Sequence, residues 1–524
     1  MVRGRAACLL LLSVLHAVHS RPRELVTSGN TAGLVEVNNS LLVLQRLLGR
    51  HGDDATDIFT QILDSNKGIT QPMKQGDIAI NNDYSALQCA DNTCYWPKSS
   101  SGAVHVPYII SPSYTDRHLA LIREALEEFN TLTCIKLVNR TTETDYLSIT
   151  SENGCWSYIG KIGGGQTVSL AESTCMSKGI IHHEVDHALG FYHEHTRSDR
   201  DEYVDIQLHN IAEGNKENFE KQETNNLDLP YDFQSVLHYG RYAYSKTPGL
   251  PSIIPKPDPN IEIGQRYGLS PLDVAKLNRL YSCDLCSTLL SSANGSLASA
   301  NHPENYANNA SCLWLIRIQR QQVALQFDAF DLQDSPDCTS DYVTVYDGAS
   351  RASPKLLHRA CGSDPLPLLV ASGTGMLVEF VSDGAVTRSG FNASYGSVEC
   401  GGSFTRDNGV ITSPGFPEAY PNSVDCVWSI LAPVGQQIQL EFTSFDVERF
   451  PDCGCDYLVV KDGGTTNSPL LGKYCGNSPL QPIVSTGNML LLQFSSDVWV
   501  NKPGFSIVYS FIQHFKKDQE RSLS

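Results

Sequence analysis

From Ile180 to His193 the sequence runs IIHHEVDHALGFYH, and this stretch decides the fold of the N-terminal half of the chain. His183 and His187 are four residues apart, so on a helix their side chains lie one turn apart on the same face. Gly190 lets the helix end and the chain turn back, which returns His193 as a third imidazole. The spacing therefore predicts a helix through the first ten residues of this stretch and a metal site made of three histidines.

Three neutral imidazoles leave the fourth position of a tetrahedral zinc ion open for water, which is typical of a catalytic zinc site. Glu184 lies next to the first histidine and is suited to act as general base and then general acid in peptide hydrolysis. The alternative interpretation is a helix with chance histidines. Gly190 and His193 at this spacing make that alternative far weaker than the His-Glu-x-x-His pattern alone does.

The extended motif resembles the metzincins. Residues 190–194 (GFYHE), followed by residues 197–201 (RSDRD), resemble the astacin family in particular. The resemblance implies a zinc metalloendopeptidase with an α+β fold over residues 85–284. Within that range the apolar pattern predicts a further helix over residues 115–132.

Residues 235–239 (SVLHY) match the Met-turn of the astacin family, with Leu237 where methionine is usual. This turn forms an apolar floor under the zinc and supplies no ligand, so leucine is a near-isosteric replacement. The resemblance also makes Tyr239 an additional zinc ligand that swings away and donates its phenol to the oxyanion of the tetrahedral intermediate.

The family's two core disulfides are implied to be Cys134–Cys283 and Cys155–Cys175. Cys89 and Cys94 remain at the start of the domain. A Cys89–Cys94 pair looks like the hatching-enzyme subgroup of astacins, although a separation of five residues serves a local structural staple equally well.

Residues 21–84 contain no cysteine and are interpreted as a pro-segment. Astacin precursors hold the aspartate of a Phe-x-Gly-Asp motif against the zinc. Residues 74–77 (KQGD) keep the glycine and the aspartate but not the phenylalanine, so the resemblance makes Asp77 the zinc ligand of a latent form. The mature chain is expected to begin at Ser85, after cleavage by an activating protease that accepts Tyr84.

The C-terminal half contains an internal repeat, in which four cysteines recur at offsets of 114 or 115 residues. Short alternating runs between turn residues predict an all-β sandwich in each copy. The four cysteines and the repeated Asp-Tyr motif resemble the CUB domain, with one copy over residues 286–397 and one over 400–512. The resemblance implies the disulfides Cys286–Cys312, Cys338–Cys361, Cys400–Cys426 and Cys453–Cys475. The fold class is thus multidomain, an α+β metzincin protease domain followed by two all-β CUB sandwiches.

Many CUB domains bind calcium through three carboxylates. The resemblance carries these over to Glu448, Asp456 and Asp497, whose oxygen atoms suit a hard cation. In the first copy the equivalent residues are Gln333, Asp341 and Asp383, so one charge is missing and calcium is expected only in the second copy.

Cys455 has no counterpart in the first copy and falls outside the implied pairs. We therefore expect it either to link two chains or to change the pairing of Cys453.

The address of the chain follows from its N-terminus and composition. Lys and Arg number 39 against 57 Asp and Glu, a net charge of −18, which argues against a nucleic-acid partner. Residues 1–20 have the basic, apolar and small-residue order of a signal peptide, no segment predicts a membrane span, and the tail 513–524 is polar. The chain is expected to be secreted, which makes its Asn-x-Ser/Thr sequons candidates for glycosylation: Asn38, Asn139, Asn294, Asn309 and Asn392.

Taken together, the motifs predict a secreted zinc endopeptidase that acts on extracellular protein substrates. The astacin-like domain followed directly by two CUB copies resembles hatching enzymes, which implies egg-envelope glycoproteins or extracellular matrix as substrates. Two alternatives remain at this point. One is a tolloid-like protease that processes matrix or growth-factor precursors, and the other is a CUB-mediated binding protein with a weak or inactive protease domain.

Overall fold

A computed structural model describes residues 57–80, 93–265 and 267–513 of the chain. Several predictions lie outside these residues: the signal peptide, the pro-segment on either side of residues 57–80, the start of the mature chain at Ser85, the site Asn38 and the tail beyond residue 513. Cys89 also lies outside them. Cys94 is disulfide-bonded.

The protease domain is built on one mixed seven-stranded sheet with the order β1-β2-β6-β7-β5-β3-β4, and β8 and β9 form a separate pair. Its strands are β1 (Met73–Lys74), β2 (Ile78–Ala79), β3 (Val104–Ile110), β4 (Ile135–Asn139), β5 (Tyr146–Thr150), β6 (Cys155–Ser157), β7 (Gly165–Leu170), β8 (Val204–Ile206) and β9 (Ile253–Pro255). Its helices are α1 (Ile58–Ser65), α2 (Asp116–Leu132), α3 (Lys178–Ala188) and α4 (Pro271–Leu280). The α+β fold is as expected from the sequence.

Helix α2 shows why the predicted pattern forms a helix. The Thr115 side chain accepts a hydrogen bond from the backbone N–H of His118 and caps the N-terminus. Ile122, Ala125 and Phe129 recur at helical spacing, and all three are buried against the sheet and α3. The stripe therefore holds α2 beside the helix that carries the metal-binding histidines.

The described part of the pro-segment adds to the protease domain. Its two short strands extend the sheet at one edge, where Ile78 pairs in parallel with Ser157. The Asp77 carbonyl accepts a hydrogen bond of 3.1 Å from the backbone N–H of Ser157. This pairing fixes the backbone of Asp77 at the edge of the sheet.

Each CUB domain is a sandwich of a five-stranded and a four-stranded sheet, as expected. The first contains β10 (Cys286–Leu290), β11 (Gly295–Ala298), β12 (Ser311–Arg317), β13 (Gln322–Asp331), β14 (Tyr342–Tyr346), β15 (Lys355–Ala360), β16 (Leu369–Val370), β17 (Gly375–Val381) and β18 (Gly390–Val398). The second contains β19 (Cys400–Phe404), β20 (Asn408–Thr412), β21 (Asp425–Leu431), β22 (Gln436–Asp446), β23 (Tyr457–Asp462), β24 (Leu470–Tyr474), β25 (Ile483–Val484), β26 (Met489–Ser495) and β27 (Gly504–Gln513). Trp314 and Trp428 occupy equivalent places in the two cores.

The structure contains the implied disulfides whose two cysteines it describes: Cys134–Cys283, Cys155–Cys175, Cys286–Cys312, Cys338–Cys361, Cys400–Cys426 and Cys453–Cys475. The expectation for Cys455 is wrong. Cys455 is buried and disulfide-bonded within the chain, while Cys453 keeps its pairing with Cys475. Sequence repeats alone do not reveal such a bond, because the cysteine has no equivalent in the first copy.

The first CUB domain packs directly on the protease domain. Leu313, Leu315 and Leu377 on the outer face of its five-stranded sheet belong to the same buried cluster as the core residues of the protease domain. At the edge of this apolar contact, Arg317 donates a hydrogen bond of 2.5 Å to the carboxylate of Glu128 on α2. Glu128 is fully buried and also bonds Lys178, the first residue of α3, at 2.9 Å.

The second CUB domain uses the same face to pack on the first. Val427 and Leu491, the counterparts of Leu313 and Leu377, form a buried cluster with Ala324 and Val370 from the four-stranded sheet of the first CUB domain. The three domains are thus joined by equivalent surfaces. Among the residues that the structure describes, no helix is long and apolar enough to cross a membrane.

Candidate metal centre

The three predicted histidines converge on one point. The Ser177 side chain caps the N-terminus of α3, which presents His183 and His187 one turn apart. Gly190, at a φ of 108°, ends the helix, and a Cβ there would lie 2.9 Å from the ring of Tyr95. The turn brings the Nε2 atom of His193 to 3.3 Å from that of His183, which is 3.2 Å from the Nε2 of His187.

Hydrogen bonds at the other nitrogen of each ring determine which form the imidazoles take. The Nδ1 of His183 lies 2.8 Å from the carbonyl of Val236, and that of His187 lies 2.7 Å from the carbonyl of Phe191. A carbonyl only accepts, so Nδ1 carries the proton and Nε2 presents a lone pair. Burial lowers the pKa of His187, and that of His193 to about 3, which keeps both rings neutral.

Asp77 of the pro-segment completes the cluster. Its Oδ2 lies 2.8 Å from the Nε2 of His183 and 3.2 Å from that of His193, and its Oδ1 lies 3.7 Å from that of His187. Gly76, at a φ of 89°, allows this approach, since a Cβ there would lie 2.4 Å from the hydroxyl of Tyr244. The Gly-Asp pair that the sequence retained is therefore required by the local geometry.

Three lone pairs and a carboxylate at these distances repel one another unless a cation lies among them. The four ligand atoms lie within 4.8 Å of one another, and all four residues are buried. Three neutral imidazoles and one carboxylate are a common donor set for zinc, so the residues present fit a zinc ion.

Glu184 lies beside this cluster, and both of its carboxylate oxygens are buried without a hydrogen-bond partner among the described residues. Burial, and then the nearby Asp77 carboxylate, raise the pKa of Glu184 well above its usual value. A buried carboxyl group without a partner is costly, and such groups are typical of catalytic acids and bases.

The turn at residues 235–239 supports the cluster through its backbone. The Val236 carbonyl accepts the hydrogen bond from His183, and the Leu237 carbonyl accepts one of 3.0 Å from the backbone N–H of Glu194. The Leu237 side chain is buried in the core cluster of the protease domain. Neither hydrogen bond depends on a methionine sulfur, which explains why leucine is compatible with this turn.

Tyr239 lies beside the cluster, as predicted, but its hydroxyl is held by the pro-segment. It donates a hydrogen bond of 2.5 Å to the backbone carbonyl of Gln75. The side-chain oxygen of Gln75 accepts a second hydrogen bond, of 2.8 Å, from the Nδ1 of His193. Gln75 is fully buried, and sequence reasoning did not identify it.

Phe59 is the second residue that sequence reasoning missed. It projects from α1, and its ring stacks on that of Tyr239 with centroids 3.5 Å apart and planes inclined by 18°. Its edge also meets the ring of His193 at 5.4 Å. Lys74 stands where the family motif has phenylalanine and instead bonds the exposed side chain of Gln222. The one available signal was the apolar pattern of Ile58, Phe59 and Ile62, all of which are buried.

The acidic residues predicted in the second CUB domain also come together. The backbone N–H of Asp497 donates a hydrogen bond of 2.6 Å to Asp456, and Glu448 has one buried oxygen without a partner among the described residues. Burial and the two aspartates raise the pKa of Glu448 to about 7. A carboxylate that faces two others in this way fits a calcium ion, since hard oxygen ligands suit this cation.

The equivalent site in the first CUB domain has the same scaffold with less charge. Tyr306 donates to Asp341, and the backbone N–H of Asp383 donates to the same carboxylate at 2.7 Å. Gln333 replaces the glutamate, so the donor set fits calcium less well, in line with the expectation for this copy.

The protein-family comparisons agree with this geometry. Three converging neutral imidazoles beside an unpartnered glutamate define a zinc metalloendopeptidase. Residues 90–282 match the peptidase family described as Astacin, and residues 286–395 and 400–509 match the CUB domain. The chain therefore belongs to the astacin family of zinc metalloendopeptidases and carries two CUB domains.

Two relatives and one solved structure illustrate this membership. "Embryonic protein UVS.2" of Xenopus laevis is 48% identical over 461 residues, which are 88% of this chain and 89% of that protein. "Astacin-like metalloendopeptidase" of Gallus gallus is 51% identical over 343 residues, 65% of this chain and 83% of that protein. The solved structure of High choriolytic enzyme 1, a hatching enzyme zinc-protease from Oryzias latipes, shares 48% identity, covers 38% of this chain and 99% of its own, and has a TM-score of 0.37.

Proposed function

We propose that the chain is a secreted zymogen in which Asp77 blocks the metal centre until the pro-segment is removed. The observation that carries the proposal is the Asp77 carboxylate at 2.8 Å from the Nε2 of His183, inside the ring of three histidines. A carboxylate at that point takes the place of the attacking water, so the enzyme is held inactive.

In the active enzyme, zinc held by the three histidines would acidify a water molecule and polarise the scissile carbonyl. Glu184 takes the proton of the attacking water and returns it to the leaving amine. Burial and then the nearby Tyr244 and Asp77 raise the pKa of Tyr239 well above its usual value, so the phenol stays protonated. Once Gln75 has left with the pro-segment, that phenol donates to the developing oxyanion.

Two variants test these roles. Glu184→Ala is expected to retain zinc, measured by elemental analysis, and to lose chelator-sensitive peptide hydrolysis after activation, while Glu220→Ala, at an exposed glutamate of the same domain, keeps both. Asp77→Ala is expected to give an uncleaved chain with measurable activity, whereas Asp64→Ala, at an exposed aspartate of the same pro-segment, stays latent. A fully active Glu184→Ala enzyme, or a latent Asp77→Ala chain, contradicts the proposal.

For the substrate we propose glycoproteins of an egg envelope or a related extracellular matrix. The support is the similarity to an embryonic protein over both the protease and the CUB regions, and the domain order that follows the hatching-enzyme type. Cleavage-site mapping by mass spectrometry, with egg-envelope preparations beside procollagen and growth-factor precursors, separates this proposal from a tolloid-like role. Cleavage of the precursors alone would contradict the envelope proposal.

We also propose that calcium binds in the second CUB domain at Glu448, Asp456 and Asp497. Of the sequons in the described part of the chain, Asn139, Asn294 and Asn309 are exposed, and Asn392 is half-buried in β18. The first three therefore suit glycosylation better than the fourth.

A further inference from the structure

A cavity of about 760 Å³ lies where the protease domain, the pro-segment and the first CUB domain meet. Arg241 and Tyr242 line it from the protease domain, Asp57 from the pro-segment, and Gln319 and Arg320 from the CUB domain. Arg241 is the second residue after Tyr239, so the cavity adjoins the metal centre. None of these residues has a role in the proposed mechanism.

The first CUB domain holds its two residues at this cavity firmly. Gln319 and Arg320 form the turn between β12 and β13, directly after Arg317, which bonds the buried Glu128 of the protease domain. The backbone N–H of Ile318 also donates to the carbonyl of Thr374 at 2.8 Å. A large apolar contact with a buried ion pair at its edge disfavours relative motion of two domains, so the turn is a fixed part of the cavity wall.

In the latent form a carboxylate already occupies one end of this cavity. The Asp57 side chain caps α1 by accepting a hydrogen bond of 2.9 Å from the backbone N–H of Thr60. A Cβ at Gly240 would lie 2.4 Å from this carboxylate group, and one at Gly264 would lie 2.5 Å from the backbone of Gly240. The two glycines therefore form a cradle that admits a carboxylate next to Tyr239.

Removal of the pro-segment changes the charge of the cavity. Arg241 and Arg320 remain, against one exposed acidic residue, Glu262. The other polar side chains in the wall, such as Gln265 and Gln319, are neutral donors and acceptors. The emptied cavity is then cationic, and guanidinium groups recognise carboxylates.

We propose that the first CUB domain completes a substrate subsite of the protease, in which Arg320 acts with Arg241 to bind an acidic side chain of the polypeptide substrate. That side chain would enter the space vacated by Asp57. Arg320 is thus a specificity-determining residue contributed by a domain outside the catalytic fold. The inference rests on the proposed removal of the pro-segment and on cleavage of extracellular polypeptides.

The test uses the full chain, with a recognition site for a sequence-specific protease inserted between Tyr84 and Ser85 and cleaved before assay. Pairs of fluorogenic peptides that differ only by Glu against Gln are scanned over three positions on each side of the scissile bond. The ratio of kcat/KM within a pair does not depend on the fraction of folded enzyme. We expect the acidic member to be favoured about five- to tenfold at one position.

Arg320→Ala is expected to lower that ratio to about one half or less of the unmodified value through KM, and Arg320→Glu to lower it further. Arg359→Ala, at an exposed arginine of the same CUB domain outside the cavity, should leave the ratio unchanged, and raised salt should reduce it. An unchanged ratio in Arg320→Ala and Arg320→Glu, or no acidic preference at any position, overturns this inference and leaves the proposed function standing. Absence of chelator-sensitive cleavage of any peptide instead refutes the proposed function itself.

Discussion

Replacing Phe59 by alanine tests how the pro-segment keeps the enzyme inactive. Only 1% of the Phe59 surface is exposed, and its ring stacks on Tyr239 at a centroid distance of 3.5 Å. It also contacts the rings of His193 and Tyr244. Since Phe59 belongs to the segment that leaves on activation, these contacts stabilise the latent form only.

The size of the effect follows from burial. Truncating a fully buried phenylalanine to alanine costs about 3–5 kcal/mol, because apolar contacts are lost and a cavity remains. When the pro-segment is displaced, residue 59 is in water in both proteins, so the cost falls on the closed state. A loss of about 3 kcal/mol raises the displaced fraction roughly a hundredfold. Asp77 still returns to the metal centre, so most Phe59→Ala molecules remain latent.

The assay compares chelator-sensitive peptide hydrolysis by uncleaved zymogens. We expect the basal activity of Phe59→Ala to exceed that of the unmodified zymogen by about two orders of magnitude, and that of Phe59→Leu, which keeps most of the apolar volume, by less. Electrophoresis verifies that the chains remain uncleaved. After activation the three enzymes have the same sequence, so their kcat/KM values must agree. Equal basal activity in Phe59→Ala and the unmodified zymogen would refute the reasoning.

Three further predictions concern other parts of the molecule. Gly76→Ala should raise basal zymogen activity, because the added Cβ would lie 2.4 Å from the hydroxyl of Tyr244 at a φ that disfavours alanine. Arg317→Ala should lower the free energy of unfolding by about 3 kcal/mol at pH 7 in denaturant titrations, because Glu128 stays buried with one cation fewer. Burial alone would raise the pKa of Glu128, but Arg317, then His182 and Lys178, hold it at about 2, so this stability is complete above the ordinary value of 4.5 and the gap to the variant should close as pH falls from 4.5 to 2. Calcium should raise the Tm of the unmodified chain and of Asp383→Ala equally, and that of Asp497→Ala much less, as measured by calorimetry.

The sequence predicted the metal centre well because its spacing is local. His183, His187 and Gly190 lie within one helix and its end, so the period of the helix alone places them. Phe59 and Gln75 were out of reach for the opposite reason. They lie more than 100 residues before the groups they contact, and only the pairing of β2 with β6 brings them there.

The two sandwiches were predicted by repeat, cysteine spacing and alternation, but the contacts between the domains were not. Leu313 and Leu377 lie in strands that are apolar on both faces, and such a run does not tell an observer which partner covers the outer face. The same limit applies to Cys455, whose bond depends on chain segments that no spacing rule connects.

The equivalent faces that join the three domains have a mechanical consequence. A protease on a flexible tether attacks any accessible bond within the sphere that its tether sweeps. Here the second CUB domain rests on the first and the first rests on the protease, so the structure acts as a stiff arm with the cutting site at one end. When such an arm binds a repetitive fibre at its far end, the cuts fall at a constant distance from each point of attachment, and the fragments inherit the length of the arm.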